Sequence, residues 1–189
     1  MFNIIKKKSS ITNLYDYKDC FSIIKVPNHN DVKNNLLQII SYEQDTSASP
    51  QDKEQSISST DFFSDYSNSY YKEFFLENVI KKYYNLAVKL LGYKNYEILN
   101  MWYQQYEHND THGWHTHHGC NYSNVYFLEL PSKEVSTEFL NVKNNTIFRV
   151  DSIREGDLLS FPGHIIHRSP KNITNDRKSV IVFNSNIFT

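Results

Sequence analysis

The spacing of apolar residues predicts two helices in the first half of the chain. Residues 31–44 carry apolar side chains at helical spacing, and Asn30 or Asp31 can cap the start of this helix. Residues 71–91 form the clearer helix, because a continuous apolar stripe runs up to a terminating Gly92. The stripe of the first helix contains Val32, Leu36, Ile39 and Ile40. The stripe of the second contains Phe75, Val79, Tyr83, Leu86 and Leu90.

A polar stretch separates these two helices. Residues 45–60 are rich in Ser, Thr and Gln and have few apolar side chains, which predicts a loop. The aromatic residues that follow it are Phe62, Phe63, Tyr66 and Tyr70. Long loops are often lids, so these rings are candidates for covering a site; the alternative is that they only pack the loop against the core.

From residue 97 onward the pattern changes to that of β-strands. The β-prone segments, separated by turn residues, are EILNMWYQQY, SNVYFLEL, STEFLNV, TIFRV, DLLSF and KSVIVFNSN. We therefore predict a single domain of the α+β class, mainly β. Residues 1–94 would form a helical support with a potential lid loop, and residues 95–189 a jelly-roll or barrel core.

Composition narrows the class of protein. The 20 Lys and Arg residues balance 21 Asp and Glu residues, so no basic field indicates a nucleic-acid partner. Two cysteines, Cys20 and Cys120, are too few for a disulfide framework. The sequence shows no signal peptide and no apolar run of membrane-spanning length, so we predict a cytoplasmic protein without a membrane partner. Nothing in the sequence indicates an oligomeric state.

Seven of the 8 histidines lie between residues 108 and 167. In an extended strand, His115 and His117 would project from the same face. His167 follows about fifty residues later, on what we predict to be a non-adjacent strand. Three imidazoles on one side of a metal leave positions open for substrate and oxygen, as a mononuclear iron oxygenase requires. The alternative is that residues 108–118 form a solvated loop.

Arg177 stands ten positions after His167, at the start of an apolar β-prone segment. Arg177 and Ser179 alternate onto one face of that segment, where a guanidinium and a hydroxyl would hold a carboxylate. Two alternatives are that Lys178 or Arg168 holds the anion, or that Arg177 simply reaches solvent.

These motifs resemble those of the 2-oxoglutarate/Fe(II)-dependent oxygenase superfamily. Its signature is His-x-Asp/Glu, a distal His about fifty residues later and Arg or Lys about ten further on, often as Arg-x-Ser. The corresponding residues are His115-Thr116-His117, His167 and Arg177-Lys178-Ser179. The spacing from Tyr106 to His117 is similar to that of the prolyl-hydroxylase-like branch. Over residues 95–186 the chain also resembles small bacterial and phage oxygenases with a His-x-His motif.

The resemblance implies a double-stranded β-helix with N-terminal helices packed on it. It implies a dioxygenase or hydroxylase that uses Fe(II), 2-oxoglutarate and O2 and releases succinate and CO2. The implied iron ligands are His115, His117 and His167. The implied cosubstrate-binding residues are Arg177, Ser179 and Tyr106. A peptidyl side chain such as prolyl is the favoured substrate and a small molecule the alternative, in the cytoplasm of a bacterium or a phage-infected cell.

The chain departs from the family pattern at His117, where most members have Asp or Glu. A neutral imidazole leaves Fe(II) with a higher effective charge, which favours the anionic cosubstrate. His112 and His118 are alternative third ligands, and Glu107 and Asp110 are further ones.

Two other functions remain as alternatives. A cupin-type metal-binding protein would not require 2-oxoglutarate, but cupins normally place a Glu shortly after His-x-His, where this chain has Gly119 to Tyr122. A non-catalytic double-stranded β-helix binding module would keep the fold without turnover. Production of succinate from 2-oxoglutarate distinguishes the oxygenase from both.

Overall fold

The computed structural model describes residues 20–43, 55–62 and 69–189. Two antiparallel β-sheets face each other, and helices cover the outer face of one of them. Along the chain the elements are β1 (Ser22–Lys25), α1 (His29–Glu43), β2 (Gln55–Ser56), β3 (Ser59–Thr60), α2 (Tyr70–Phe75), a π-helix (Leu76–Tyr84), α3 (Asn85–Leu90), β4 (Asn95–Tyr106), β5 (Thr111–His115), β6 (Tyr122–Glu129), a short 3-10 turn (Lys133–Val135), β7 (Glu138–Asn141), β8 (Thr146–Arg149), β9 (Asp157–Pro162), β10 (His167–Ser169) and β11 (Lys178–Phe188).

The strand order is that of a double-stranded β-helix. Within the described residues, the larger sheet has the order β1-β9-β6-β11-β4-β3 and the smaller one β2-β5-β10-β7-β8. From β4 to β11 the chain crosses repeatedly from one sheet to the other, interrupted by the β7–β8 hairpin. The predicted fold class is therefore confirmed. Strands β1 and β3 precede residue 95 and yet pair with β9 and β4, so both halves of the chain build the larger sheet.

Alternation along the central strands divides the apolar residues into two cores. In β11, Ile181 and Phe183 pack toward the helices, whereas Val180 and Val182 pack between the two sheets. This is the period of two expected for a strand that is buried on both faces. The inner core fills the space between the two sheets. A polar residue that faces inward therefore lies among mainly apolar side chains.

The first predicted helix is confirmed, but it begins earlier than expected. Helix α1 starts at His29, so Asn30 and Asp31 lie inside the helix and do not cap it. The His29 ring fixes this end, because Nδ1 lies 2.7 Å from the Tyr126 hydroxyl and Nε2 lies 3.2 Å from Glu155.

The second predicted helix is present, but its buried stripe differs from the expected one. Phe75 and Val79 are buried as predicted, whereas Leu86 is 38% exposed. The cause is the π-helix, whose backbone hydrogen bonds span five residues instead of four. With each of its turns, the buried face therefore moves one residue further along the chain than it would in an α-helix. The buried residues beyond Val79 are Ile80, Tyr84, Ala87 and Val88.

The predicted loop over residues 45–60 contains two short strands. Strand β2 pairs with β5 of the smaller sheet and β3 with β4 of the larger one, so this segment connects the two sheets at one edge. The predicted lid aromatics Phe63 and Tyr66, like residues 45–54, lie outside the described residues. Phe62 packs edge-on against Trp102 at a centroid distance of 5.0 Å, and Tyr70 is 71% exposed.

Candidate metal centre

The predicted histidine triad is brought together between the two sheets. His115 is the last residue of β5 and His167 the first of β10, and the two are direct cross-strand partners. The expectation of a non-adjacent strand was wrong. His117 follows two residues after β5, and its backbone N–H donates to the Gly163 carbonyl at 2.9 Å. One ligand atom from each of the three rings lies within 4.8 Å of the others.

Each of the three rings presents the same nitrogen to the shared centre. His115 Nδ1–H donates to the Gly113 carbonyl at 2.7 Å, and His167 Nδ1–H donates to the Ile165 carbonyl at 2.9 Å. His117 Nδ1–H donates to Asn184 Oδ1 at 2.5 Å. An Nδ1 that donates its hydrogen leaves Nε2 with the lone pair, which is the form that binds a metal.

Burial keeps these imidazoles neutral. It lowers the pKa of His115 to about 4 and holds the pKa of His167 well below its usual value. Burial also lowers the pKa of His117, against a smaller opposite effect of its hydrogen bond to Asn184. Three neutral imidazoles with free Nε2 atoms form a donor set that suits a divalent transition metal such as Fe(II).

The alternative third ligands lie outside this cluster. His118 and Glu107 are exposed. The Asp110 carboxylate accepts hydrogen bonds from the hydroxyls of Ser56 and Ser58. His112 is different, because its ring stacks on His115 at a centroid distance of 4.1 Å and lines the same pocket. It stands beside the triad and is not one of the three grouped ligands.

The structure does not bring Arg177 and Ser179 to the pocket. Arg177 Nε and Nη2 donate to the Glu129 carboxylate at 2.8 and 3.2 Å, and the Ser179 hydroxyl donates to the same carboxylate. The predicted alternation of these two residues is correct, but the inward-facing set of β11 is Lys178, Val180 and Val182. Arg177 and Ser179 thus lie on the face of β11 opposite to Lys178, and their role in binding an anion stays a prediction.

Lys178 is a cation that faces the pocket, which Arg168 also lines. Its side chain is 1% exposed, and Nζ donates to Ser169 Oγ at 2.7 Å. Among residues 20–43, 55–62 and 69–189, no carboxylate lies within salt-bridge distance of this ammonium. Burial accordingly lowers the pKa of Lys178 to about 7. A buried lysine without a carboxylate in contact can take an anionic ligand, whose charge would act as the missing counter-ion.

Arg168, the other alternative cation, is already engaged. Its Nε donates to Glu138 Oε2 at 2.6 Å, and its guanidinium lies 4.4 Å from the centroid of the Trp114 ring. Lys178 has no comparable partner in the described part of the chain, so it remains the cation available to a pocket ligand.

Aromatic and amide groups complete the pocket beside Lys178. Tyr106 is buried, and its ring centroid lies 5.0 Å from Lys178 Nζ. Its hydroxyl donates to Gln104 Oε1 at 2.8 Å, and burial raises its pKa, so it stays protonated. Trp102 also lines the pocket, and its buried indole N–H has no hydrogen-bond partner among the described residues.

No helix in the described ranges is both long and apolar enough to cross a membrane. No protein-family model matches the chain, and no curated protein sequence matches it. The matches to known proteins come from the comparison of this fold with solved structures.

Solved structures that match include two prolyl hydroxylases and an α-ketoglutarate-dependent epimerase. A viral collagen prolyl hydroxylase from Paramecium bursaria Chlorella virus-1, solved as a 2-oxoglutarate complex, is 8% identical with a TM-score of 0.56, over 90% of this chain and 97% of that one. A prolyl hydroxylase from Trichoplax adhaerens, in complex with a hypoxia-inducible-factor peptide fragment, is 14% identical with a TM-score of 0.58, over 88% and 83%. The α-ketoglutarate-dependent epimerase SnoN of nogalamycin biosynthesis is 11% identical with a TM-score of 0.65, over 88% and 77%.

These similarities concern the fold, because the identities are low. The arrangement of the three histidines is an independent observation on this chain. The chain has the double-stranded β-helix fold of the 2-oxoglutarate/Fe(II) oxygenases, and its His-x-His…His triad fits the metal-binding motif of that family.

Proposed function

We propose that this protein is a 2-oxoglutarate- and Fe(II)-dependent dioxygenase. The observation that carries the proposal is that one pocket contains both a cluster of three neutral imidazoles and a buried, unpaired ammonium. The first suits a divalent metal and the second suits an anion. A keto acid with a distal carboxylate needs both in one place.

The metal would be held by the Nε2 atoms of His115, His117 and His167. Their Nδ1 atoms are already committed to oxygen acceptors, so the rings need not reorient to bind it. Since three imidazoles add no negative charge, the bound metal keeps its full charge and attracts an anionic ligand.

The distal carboxylate of 2-oxoglutarate would be held by Lys178. Its approach would restore the charged form of the ammonium, because a nearby anion raises a pKa that burial has lowered. Ser169 orients Nζ, and the unpartnered Trp102 N–H is a further hydrogen-bond donor in the same pocket.

When bound, Fe(II) and 2-oxoglutarate supply the oxidation of a substrate C–H bond, with conversion of 2-oxoglutarate to succinate and CO2. The chain supplies binding, orientation and exclusion of water. Val125, Val180 and Val182 line the pocket, so the reacting groups are held in a largely apolar environment.

The substrate proposed for this site is a peptidyl side chain such as prolyl. Two of the three similar structures described above are prolyl hydroxylases, one of them solved with a peptide. A small molecule is the second candidate, because the similar epimerase belongs to a biosynthetic pathway.

The proposal is tested by incubating the protein aerobically with Fe(II) and 2-oxoglutarate and measuring succinate. Succinate formation that requires the metal and is lost in His167→Ala supports the oxygenase. If the protein binds the metal but neither binds nor converts 2-oxoglutarate, the result supports the cupin-type alternative. If it binds neither the metal nor 2-oxoglutarate, the result supports a non-catalytic module.

A further inference from the structure

Two side chains from neighbouring strands meet at His117. Asn184 Oδ1 lies 2.5 Å from His117 Nδ1, and Ser123 Oγ lies 3.0 Å from the same nitrogen. Asn184 on β11 and Ser123 on β6 are direct cross-strand partners, and they are 7% and 0% exposed. Their positions are therefore fixed by the larger sheet, while His117 itself lies in the segment after β5.

The other two histidines are oriented in a different way. His115 and His167 each donate from Nδ1 to the backbone carbonyl two residues earlier in the chain. Both also lie in strands, so their own backbone sets the direction of the ring. His117 differs in both respects: its Nδ1 contacts side chains, and the residue lies outside the strands. The direction of its ring depends on side chains from the opposite sheet.

We propose that Asn184, assisted by Ser123, is a positioning residue that makes His117 a metal ligand. The amide oxygen can only accept a hydrogen bond, so it requires the hydrogen on Nδ1 and leaves the lone pair on Nε2. Asn184 thereby selects both the tautomer and the orientation of the ring. This inference rests on the proposed metal site and identifies what that site needs beyond its three ligands.

The inference links two positions that the sequence separates by 67 residues. A carboxylate ligand at position 117 has no Nδ1–H and needs no acceptor at position 184. At position 117, where the family pattern has Asp or Glu, the His needs an acceptor for its Nδ1–H, which Asn184 on β11 supplies. Asn184 and His117 should behave as an energetically coupled pair.

A double-mutant cycle tests this coupling, with Co(II) affinity as the readout. Asn184→Leu removes the acceptor at similar size and should weaken Co(II) binding about 10- to 100-fold. Asn184→Asp keeps an acceptor in the same place and should bind Co(II) at least as well as the wild type. In a His117→Asp background, Asn184→Leu should change Co(II) affinity less than about twofold. Asn100→Leu is the matched control, because Asn100 on β4 is a cross-strand partner of Asn184 and is exposed.

The tautomer of His117 gives a readout that does not depend on metal. Nitrogen chemical shifts of the metal-free protein should show the hydrogen on Nδ1 in the wild type and in Asn184→Asp, and a shift toward the other tautomer in Asn184→Leu. Unchanged tautomer and Co(II) affinity in a folded Asn184→Leu protein would overturn the inference and leave the metal site intact. Failure of the wild type to bind Co(II), with the tautomer as expected, would overturn the metal site and with it the positioning role.

Discussion

His115 and His167 face each other as cross-strand partners in β5 and β10, with ring centroids 4.3 Å apart. They stand about fifty residues apart in the sequence, but the direct pairing of β5 with β10 places them side by side. A site built on two paired strands is held more precisely than one built on loops. This pair is the rigid part of the candidate metal centre, and His117 is added to it by side-chain hydrogen bonds.

The first prediction concerns the metal ligands. His167→Ala should lower the affinity for Mn(II) by more than about 100-fold, because removing a ligand should cost more than removing an outer hydrogen-bond partner. His118→Ala is the control, since His118 is exposed and lies outside the triad. Calorimetric titration with Mn(II) measures both. Equal losses in the two variants would show that the triad is not the binding site.

A second prediction separates Lys178 from its neighbour Arg177. Lys178→Met should weaken 2-oxoglutarate binding to the Mn(II)-loaded protein about a hundredfold or more, because the only unpaired cation in the described pocket is lost. Arg177→Met breaks the ion pair with Glu129 and should change that affinity less than about threefold. The opposite ranking would restore the role that the sequence pattern gave to Arg177.

The same lysine should lower the stability of the unliganded protein. The pKa of Lys178 is about 7 in the folded chain, against a usual value of 10.5, so the unfolded chain binds more protons between these values. Its contribution to the free energy of unfolding is therefore unfavourable at pH 7 and is relieved as the pH rises toward 10. Lys178→Met should stabilise the protein by ~1–4 kcal/mol at pH 7, as measured by urea denaturation. A loss of stability would mean that the contacts of Nζ with Ser169 and the Tyr106 ring outweigh the cost of burying the ammonium.

The pH dependence of 2-oxoglutarate binding follows from the same shift. Below about pH 7 the ammonium is charged and ready for the carboxylate, whereas above it the free protein must first take up a proton. The affinity of the Mn(II)-loaded protein for 2-oxoglutarate should therefore fall about tenfold per pH unit above pH 7. Lys178→Arg, which stays charged throughout, should remove this dependence. A flat profile in the wild type would contradict the role of Lys178.

Much of the fold and the triad could be predicted from the sequence, because alternation and turn residues carry them. His-x-His on an extended segment predicted two of the three clustered histidines, and the distal His167 was the third. The face of β11 could not be predicted, since alternation defines two faces without saying which one is inside. That choice is made by pairing with β6, where Glu129 stands opposite Ser179 and accepts from both Ser179 and Arg177.

Two further features depended on contacts that a local pattern does not contain. The π-helix introduces a step of five residues into the buried stripe, from Val79 to Tyr84, so Tyr84 is buried where Tyr83 was expected. The support of His117 by Asn184 comes from a residue 67 positions away. No spacing rule along β11 distinguishes Asn184 from the polar residues Ser185 and Asn186 that follow it.

A crystal structure with Mn(II) and 2-oxoglutarate bound tests the central claim most directly. We expect Mn(II) bonded to Nε2 of His115, His117 and His167, and the distal carboxylate on Lys178 Nζ. A metal held without His117, or a carboxylate held by Arg177 in place of Lys178, would contradict the proposed arrangement. A pocket that takes the metal but excludes 2-oxoglutarate would contradict the proposed function itself.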